Sequence, residues 1–167
     1  MKKQKRGQFL IGIVMLLIAC GWVTYRVMTA NSTPSKELAP EARIVAILEN
    51  GGCISCHSAN PELPFYANIP VAGDMVMKDI QEGYRAFDIE DFMTKLQEGG
   101  TPSPVDVAKI EKVAQDKRMP MAKYYLMHWG SQMTDEKVAV IVAWARDYRT
   151  AYYNDGLTGE RAGETVR

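Results

Sequence analysis

Asn50-Gly51-Gly52-Cys53-Ile54-Ser55-Cys56-His57-Ser58 is the stretch on which the reading of this chain turns. It holds a Cys-x-x-Cys-His pattern, the attachment signature of a c-type haem. At that spacing two thiols reach the two vinyl groups of one porphyrin, and the imidazole beside the second thiol becomes the proximal iron ligand. Covalent attachment suits a small domain, which can bury little of a large cofactor. The pattern therefore names Cys53 and Cys56 as thioether residues and His57 as a metal ligand, with one covalently attached haem c as the cofactor.

Other chemistries use paired cysteines. A thioredoxin-like redox pair opens a helix within alternating strands and helices, and no strand alternation is visible in this chain. A zinc site needs further thiolate or imidazole ligands. Only Cys20, inside an apolar segment, and His128 remain. One pair of cysteines is also too few for a disulfide scaffold. Export separates haem attachment from a chance pentapeptide, because haem c is attached outside the cytoplasm.

The N-terminal sequence predicts that export. A basic flank, Lys2 to Arg6, precedes 17 uncharged residues, Phe9 to Tyr25 (FLIGIVMLLIACGWVTY). That run is near the lower limit for crossing a bilayer and longer than a usual signal core. Trp22 and Tyr25 close it, where aromatic rings favour the membrane interface. The basic start predicts a cytoplasmic N-terminus. The first reading of residues 1–30 is an uncleaved signal anchor. The second is a lipoprotein signal, since Leu17-Ile18-Ala19-Cys20 resembles a lipobox and Cys20 would carry the lipid. A plainly cleaved signal comes third. The first two tether the remainder to the periplasmic side of a bacterial inner membrane.

Charge narrows the partners. Lys and Arg number 20, as do Asp and Glu, but five of the basic residues lie within the first 26 positions and none of the acidic ones does. The rest carries 15 basic against 20 acidic side chains, a net of −5. No basic stripe is present, which disfavours nucleic acid. A redox partner presenting a positive patch is the better match.

Residues 31–40 (NSTPSKELAP) read as a linker. A helix is predicted from near Glu41, packing through Ile44, Val45, Ile47 and Leu48 and ending at Asn50-Gly51-Gly52. A loop rich in Pro, Asn and Gly follows the Cys-x-x-Cys-His pattern. A second helix covers Val71 to Tyr84, with Val76, Ile80 and Tyr84 on one face. A third runs from Ile89 to Gln97. A fourth begins with Ser103 as N-cap, Pro104 at its first position and Asp106 in its first turn, and it presents Val107, Ile110 and Ala114. The last starts after Thr134 with a stripe of Val138, Ile141, Val142, Ala145 and Tyr148. The fold class is thus all-α, a small cytochrome c-like domain over residues 41–153. The polar residues 154–167 read as a flexible tail.

Met119, beside Pro120 on a loop before the final helix, is the first candidate for the distal ligand; Met121 and His128 are the alternatives. Phe65, Tyr66, Tyr124, Tyr125, Trp129 and Trp144 wall the haem or fill the core.

The stretch CISCHSANPELPFYANIPVAGDMVMKDIQEGYRAFD, residues 53–88, resembles the haem-binding domain family of single-haem bacterial c-type cytochromes. The matching features are Cys53 to Ser58, Pro64 to Val71, Gly83, Met119-Pro120, Tyr124 or Tyr125, His128 and Trp144, spread over roughly residues 44 to 149. Residues between Phe87 and Arg118 contribute no feature to that resemblance, and their role stays open. The resemblance implies an all-α haem c domain with His57 proximal and Met119 distal. The same family occurs as the N-terminal domain of di-haem cytochrome c peroxidases, and residues 163–167 look like a linker into such a module. Three functions follow as expectations: a membrane-tethered carrier of single electrons between exported redox partners, the electron-input domain of a peroxidase that reduces hydrogen peroxide, and a haem-based ligand-binding module. On its own the chain is expected to transfer electrons rather than catalyse.

Overall fold

The computed structural model describes the backbone of residues 2–28, 33–125 and 127–164, and side chains over 11–26, 33–125 and 127–154. The side chains of the basic flank, Asn31 and Ser32 of the linker, and residues 165–167 of the tail lie outside the described set. Among the described residues the chain is wholly helical, without strands. The elements are α1 (Lys2–Met28), α2 (Pro40–Asn50), α3 (Ile54–His57), a 3₁₀ turn (Phe65–Asn68), α4 (Ala72–Ala86), α5 (Ile89–Gln97), α6 (Pro104–Asp116), α7 (Ala122–Tyr125) and α8 (Asp135–Glu164). Among the described residues no helix is long and apolar enough to cross a membrane.

Local chemistry explains most boundaries. Pro40 opens α2, where its missing N–H costs nothing. At the other end Gly52, at φ +66°, closes the helix. The Gly52 N–H donates to the Glu49 carbonyl at 2.8 Å and the Cys53 N–H to the Leu48 carbonyl at 3.1 Å, the two bonds of a Schellman end. The attachment pattern therefore starts at the first residue beyond the cap. Asp88 caps α5 by accepting from the Glu90 N–H at 3.0 Å, and Ser103 caps α6 through the Val105 N–H at 3.2 Å. Thr134 accepts from the Lys137 N–H at 3.3 Å at the start of α8.

The core lies between α2, α5, α6 and α8. Ile44, Ile47 and Leu48 meet Phe92, Met93, Val107, Ile141, Trp144 and Ala145, all buried. The Phe92 and Trp144 rings meet edge to face at 6.2 Å. Polar ties bind the outer pair: the Tyr148 hydroxyl donates to the Pro102 carbonyl at 2.5 Å, and Arg149 makes a two-pronged pair with Glu111.

Some expectations differ from the outcome. Tyr84, expected on the packed face of α4, is exposed, and Gly83 is buried in its place. Lys137 is buried at 1% exposure, although it sits among charged residues at a helix start. The backbone of α8 continues to Glu164, through the polar stretch read as a tail.

Candidate haem site

The site is built on the last turn of α2. With Cys53 held at the cap, its carbonyl accepts from the N–H groups of Cys56, at 3.3 Å, and His57, at 3.0 Å. This single turn, α3, presents both cysteines and the histidine from one short, fixed segment. Both cysteines are free of any disulfide. Cys53 packs against the core, and burial pushes its thiol up to about 12, with the Lys137 ammonium acting against the shift. Burial also raises the Cys56 thiol; Asp79 adds to the shift and Lys123 opposes it. Asp79 and Lys123 themselves pair at 2.6 Å beside Cys56.

α4 orients the histidine. A Cβ at Gly83 would stand 2.6 Å from the Cys56 carbonyl oxygen, so only glycine lets α4 lie this close to α3. That contact carries the end of α4 over the attachment turn. There Nδ1 of His57 meets the Phe87 carbonyl at 3.0 Å. A carbonyl only accepts, so Nδ1 carries the proton and the lone pair sits on Nε2. An imidazole fixed by a backbone carbonyl in this way is prepared to ligate a metal through its other nitrogen.

Beside Cys56 lies a cavity of about 390 Å³. Its walls include Ser55, Leu63, Pro64, Tyr66, Met75, Val76, Met121, Tyr124 and His128. A mostly apolar lining with a few polar groups suits a cofactor. The Tyr66 hydroxyl and Nε2 of His128 share a hydrogen bond of 2.8 Å. The His128 ring stacks on Tyr124 at 3.9 Å, nearly parallel at 5°, and burial holds the imidazole below its ordinary range. Ser58, adjacent to His57, is buried, and its hydroxyl meets no hydrogen-bond partner among the described residues.

The sequence-predicted residues are thus unequally placed. Cys53, Cys56 and His57 form one turn, and Cys56 borders the cavity. Met119 is half-buried in the segment between α6 and α7 and is not in the cavity wall, whereas Met121 and His128 are. Of the aromatic candidates, Tyr66 and Tyr124 line the cavity, Trp144 belongs to the core, and Phe65 is exposed at 76%. The Tyr66–His128 bond and the Gly83 approach to Cys56 had no local signal, since each joins residues far apart in the chain. A haem fits these residues on two counts: the lone pair of His57 is directed away from its carbonyl partner, and two unpaired thiols flank the same turn.

An all-α domain with this turn is a haem-binding module. The profile of the haem-binding domain family matches residues 11–147, and the chain belongs to that family. It is also 36% identical over 126 residues to a cytochrome c peroxidase of Escherichia coli (strain K12), a match covering 75% of this chain and 27% of that protein. The chain thus spans about a quarter of the relative's length. No solved structure matches. Family and relative together point to a haem-based electron-transfer role.

Proposed function

We propose that the chain is a mono-haem c-type cytochrome, tethered to the membrane, that carries single electrons between exported redox partners. The observation that carries this reading is the His57 Nδ1 bond to the Phe87 carbonyl, at 3.0 Å, beside two free thiols. In the proposal Cys53 and Cys56 hold the haem as thioethers, His57 is the proximal ligand through Nε2, and Met119 is the distal one. The haem supplies an iron that cycles by one electron. The protein's part is to fix the orientation of the imidazole through its carbonyl partner, and to close the sixth position with a thioether, which raises the potential. The net of −5 beyond residue 26 favours docking on a positively charged exported partner.

The visible spectrum tests this reading. The exported protein should show sharp low-spin bands, a c-type haemochrome and a methionine–iron charge-transfer band when oxidised; Met119→Ala should lose the last. A low-spin Met119→Ala variant that keeps the band moves the ligand to another methionine, with Met121 of the cavity wall the first to test. A high-spin parent protein would count against the carrier role.

Tethering belongs to the same proposal, through a signal anchor over residues 1–30 or a lipid on Cys20. Its support is the uncharged run itself and the exposed apolar side chains of α1, among them Leu16 at 64%, Leu17 at 66% and Trp22 at 62%. A strip of this kind calls for a lipid or protein cover. Mass spectrometry of the mature N-terminus should find an intact N-terminal segment or a lipidated Cys20. A soluble mature chain starting after residue 30 would remove the tether.

A second reading has its own support. Because the match to the peroxidase covers 27% of that protein, this domain also suits the role of electron-input module to a peroxidase that reduces hydrogen peroxide.

A further inference from the structure

Two kinds of side chain able to ligate iron, thioether and imidazole, line the cavity. Met121 and His128 both line it, and Met119 stands two positions from Met121. Imidazole is a good ligand for iron, so a histidine there would be expected to displace a thioether unless something holds it back. Nε2, the nitrogen at the tip of the ring and a common metal ligand, is engaged: the Tyr66 hydroxyl lies 2.8 Å from it. The ring is also held flat against Tyr124 at 3.9 Å. Tyr124 is in turn braced on the attachment loop, where a Cβ at Gly52 would come within 1.9 Å of its hydroxyl. His128 is therefore restrained from two sides, and among the described residues it is the Tyr66 hydroxyl that occupies Nε2.

We propose that Tyr66 selects the distal ligand: by engaging Nε2 of His128 it keeps the imidazole out of coordination and leaves the sixth position to methionine. The inference rests on the c-type haem reading above. Tyr66 is in this sense a positioning residue. It acts through His128 by its hydroxyl, an atom that the edge contact of the Tyr66 ring with Phe65 at 5.4 Å does not need.

The test compares three exported holoproteins: the parent, Tyr66→Phe, and Tyr66→Phe combined with His128→Gln. Oxidised spectra and midpoint potentials are measured on each. The parent should show the methionine–iron band. Tyr66→Phe should lose that band while staying low-spin, and its potential should fall, as two imidazoles would require. The double variant, with no imidazole to move in, should regain both band and potential. The proposal is overturned if Tyr66→Phe keeps the parent band and potential. It is equally overturned if the band is lost and the double variant does not regain it, since the loss would then be structural. A low-spin parent that already lacks the band overturns it as well, because no methionine then occupies the position; that fault lies in the parent rather than in a variant, so it identifies failure of the methionine reading itself.

Discussion

The two sides of this domain use similar residues for opposite ends. On one side α2, α5, α6 and α8 enclose Ile44, Phe92, Val107 and Ile141, each at 1% exposure or less. On the other, the segments around the cavity leave Phe65 at 76%, Val71 at 72%, Leu63 at 55% and Met75 at 50%. The first side is complete as protein. The second holds an apolar surface that suits a large apolar cofactor better than water. The attachment turn sits at the seam: Cys53 faces the core and Cys56 faces the cavity. Apolar residues in a sequence thus do not by themselves tell core from binding surface; what covers them does.

The largest effect should separate the two sides outright. Phe92→Ala removes a ring packed between Phe87 and Trp144 and should cost about 3–5 kcal/mol in chemical denaturation. Phe65→Ala, on the cavity side, should stay within about 0.5 kcal/mol. Equal losses would erase the distinction.

Gly83→Ala probes the seam. Its methyl would press on the Cys56 carbonyl from 2.6 Å, and relief requires α4 to move away from α3. The expected loss is about 1–3 kcal/mol, as for other overpacked contacts. The Phe87 carbonyl would move with α4, so the His57 hydrogen bond should weaken and the low-spin bands should broaden. Destabilisation with an unchanged spectrum would mean that His57 is oriented by something other than α4.

Lys137 gives a smaller effect than Gly83, and one whose size depends on pH. It is buried at 1%, and burial lowers its ammonium below the ordinary value of 10.5. Its Nζ donates to the Gln132 carbonyl at 3.4 Å. Because the folded value lies below the unfolded one, the unfolded chain binds more protons, and stability rises with pH through that window. Replacing a buried ion by an apolar residue of similar size is often neutral or stabilising. Lys137→Met should therefore be at least as stable as the parent at pH 7, by up to about 1 kcal/mol, and this advantage should shrink as pH approaches 10.5. A deficit at pH 7 would show that the ammonium contributes to stability.

Much of the core side was legible from local rules. The bounds of α5 at Ile89 and Gln97 and the Ser103 cap of α6 agree with the sequence reading, because caps and turn residues act within a few positions. The periodic stripe of α4 was read less well. Tyr84 continues the four-residue spacing yet faces outward, because the close approach of α3 at Gly83 turns the helix. Lys137 escapes for a similar reason: a lysine in a first turn reads as solvated, and its burial is set by tertiary packing that no local pattern encodes.

The sequence by itself determined the all-α class, the order of the main helices and the Cys53, Cys56 and His57 turn. Each depends on residues within a turn or two of one another: periodic apolar side chains, caps, a glycine stop and the spacing of two thiols. Only the tertiary structure decided which nitrogen of His57 keeps its lone pair, that Met121 and His128 rather than Met119 line the cavity, and that Tyr66 holds His128. These depend on contacts between segments up to 62 residues apart. Long-range contacts of this kind are set by how helices pack, and no local periodicity encodes them.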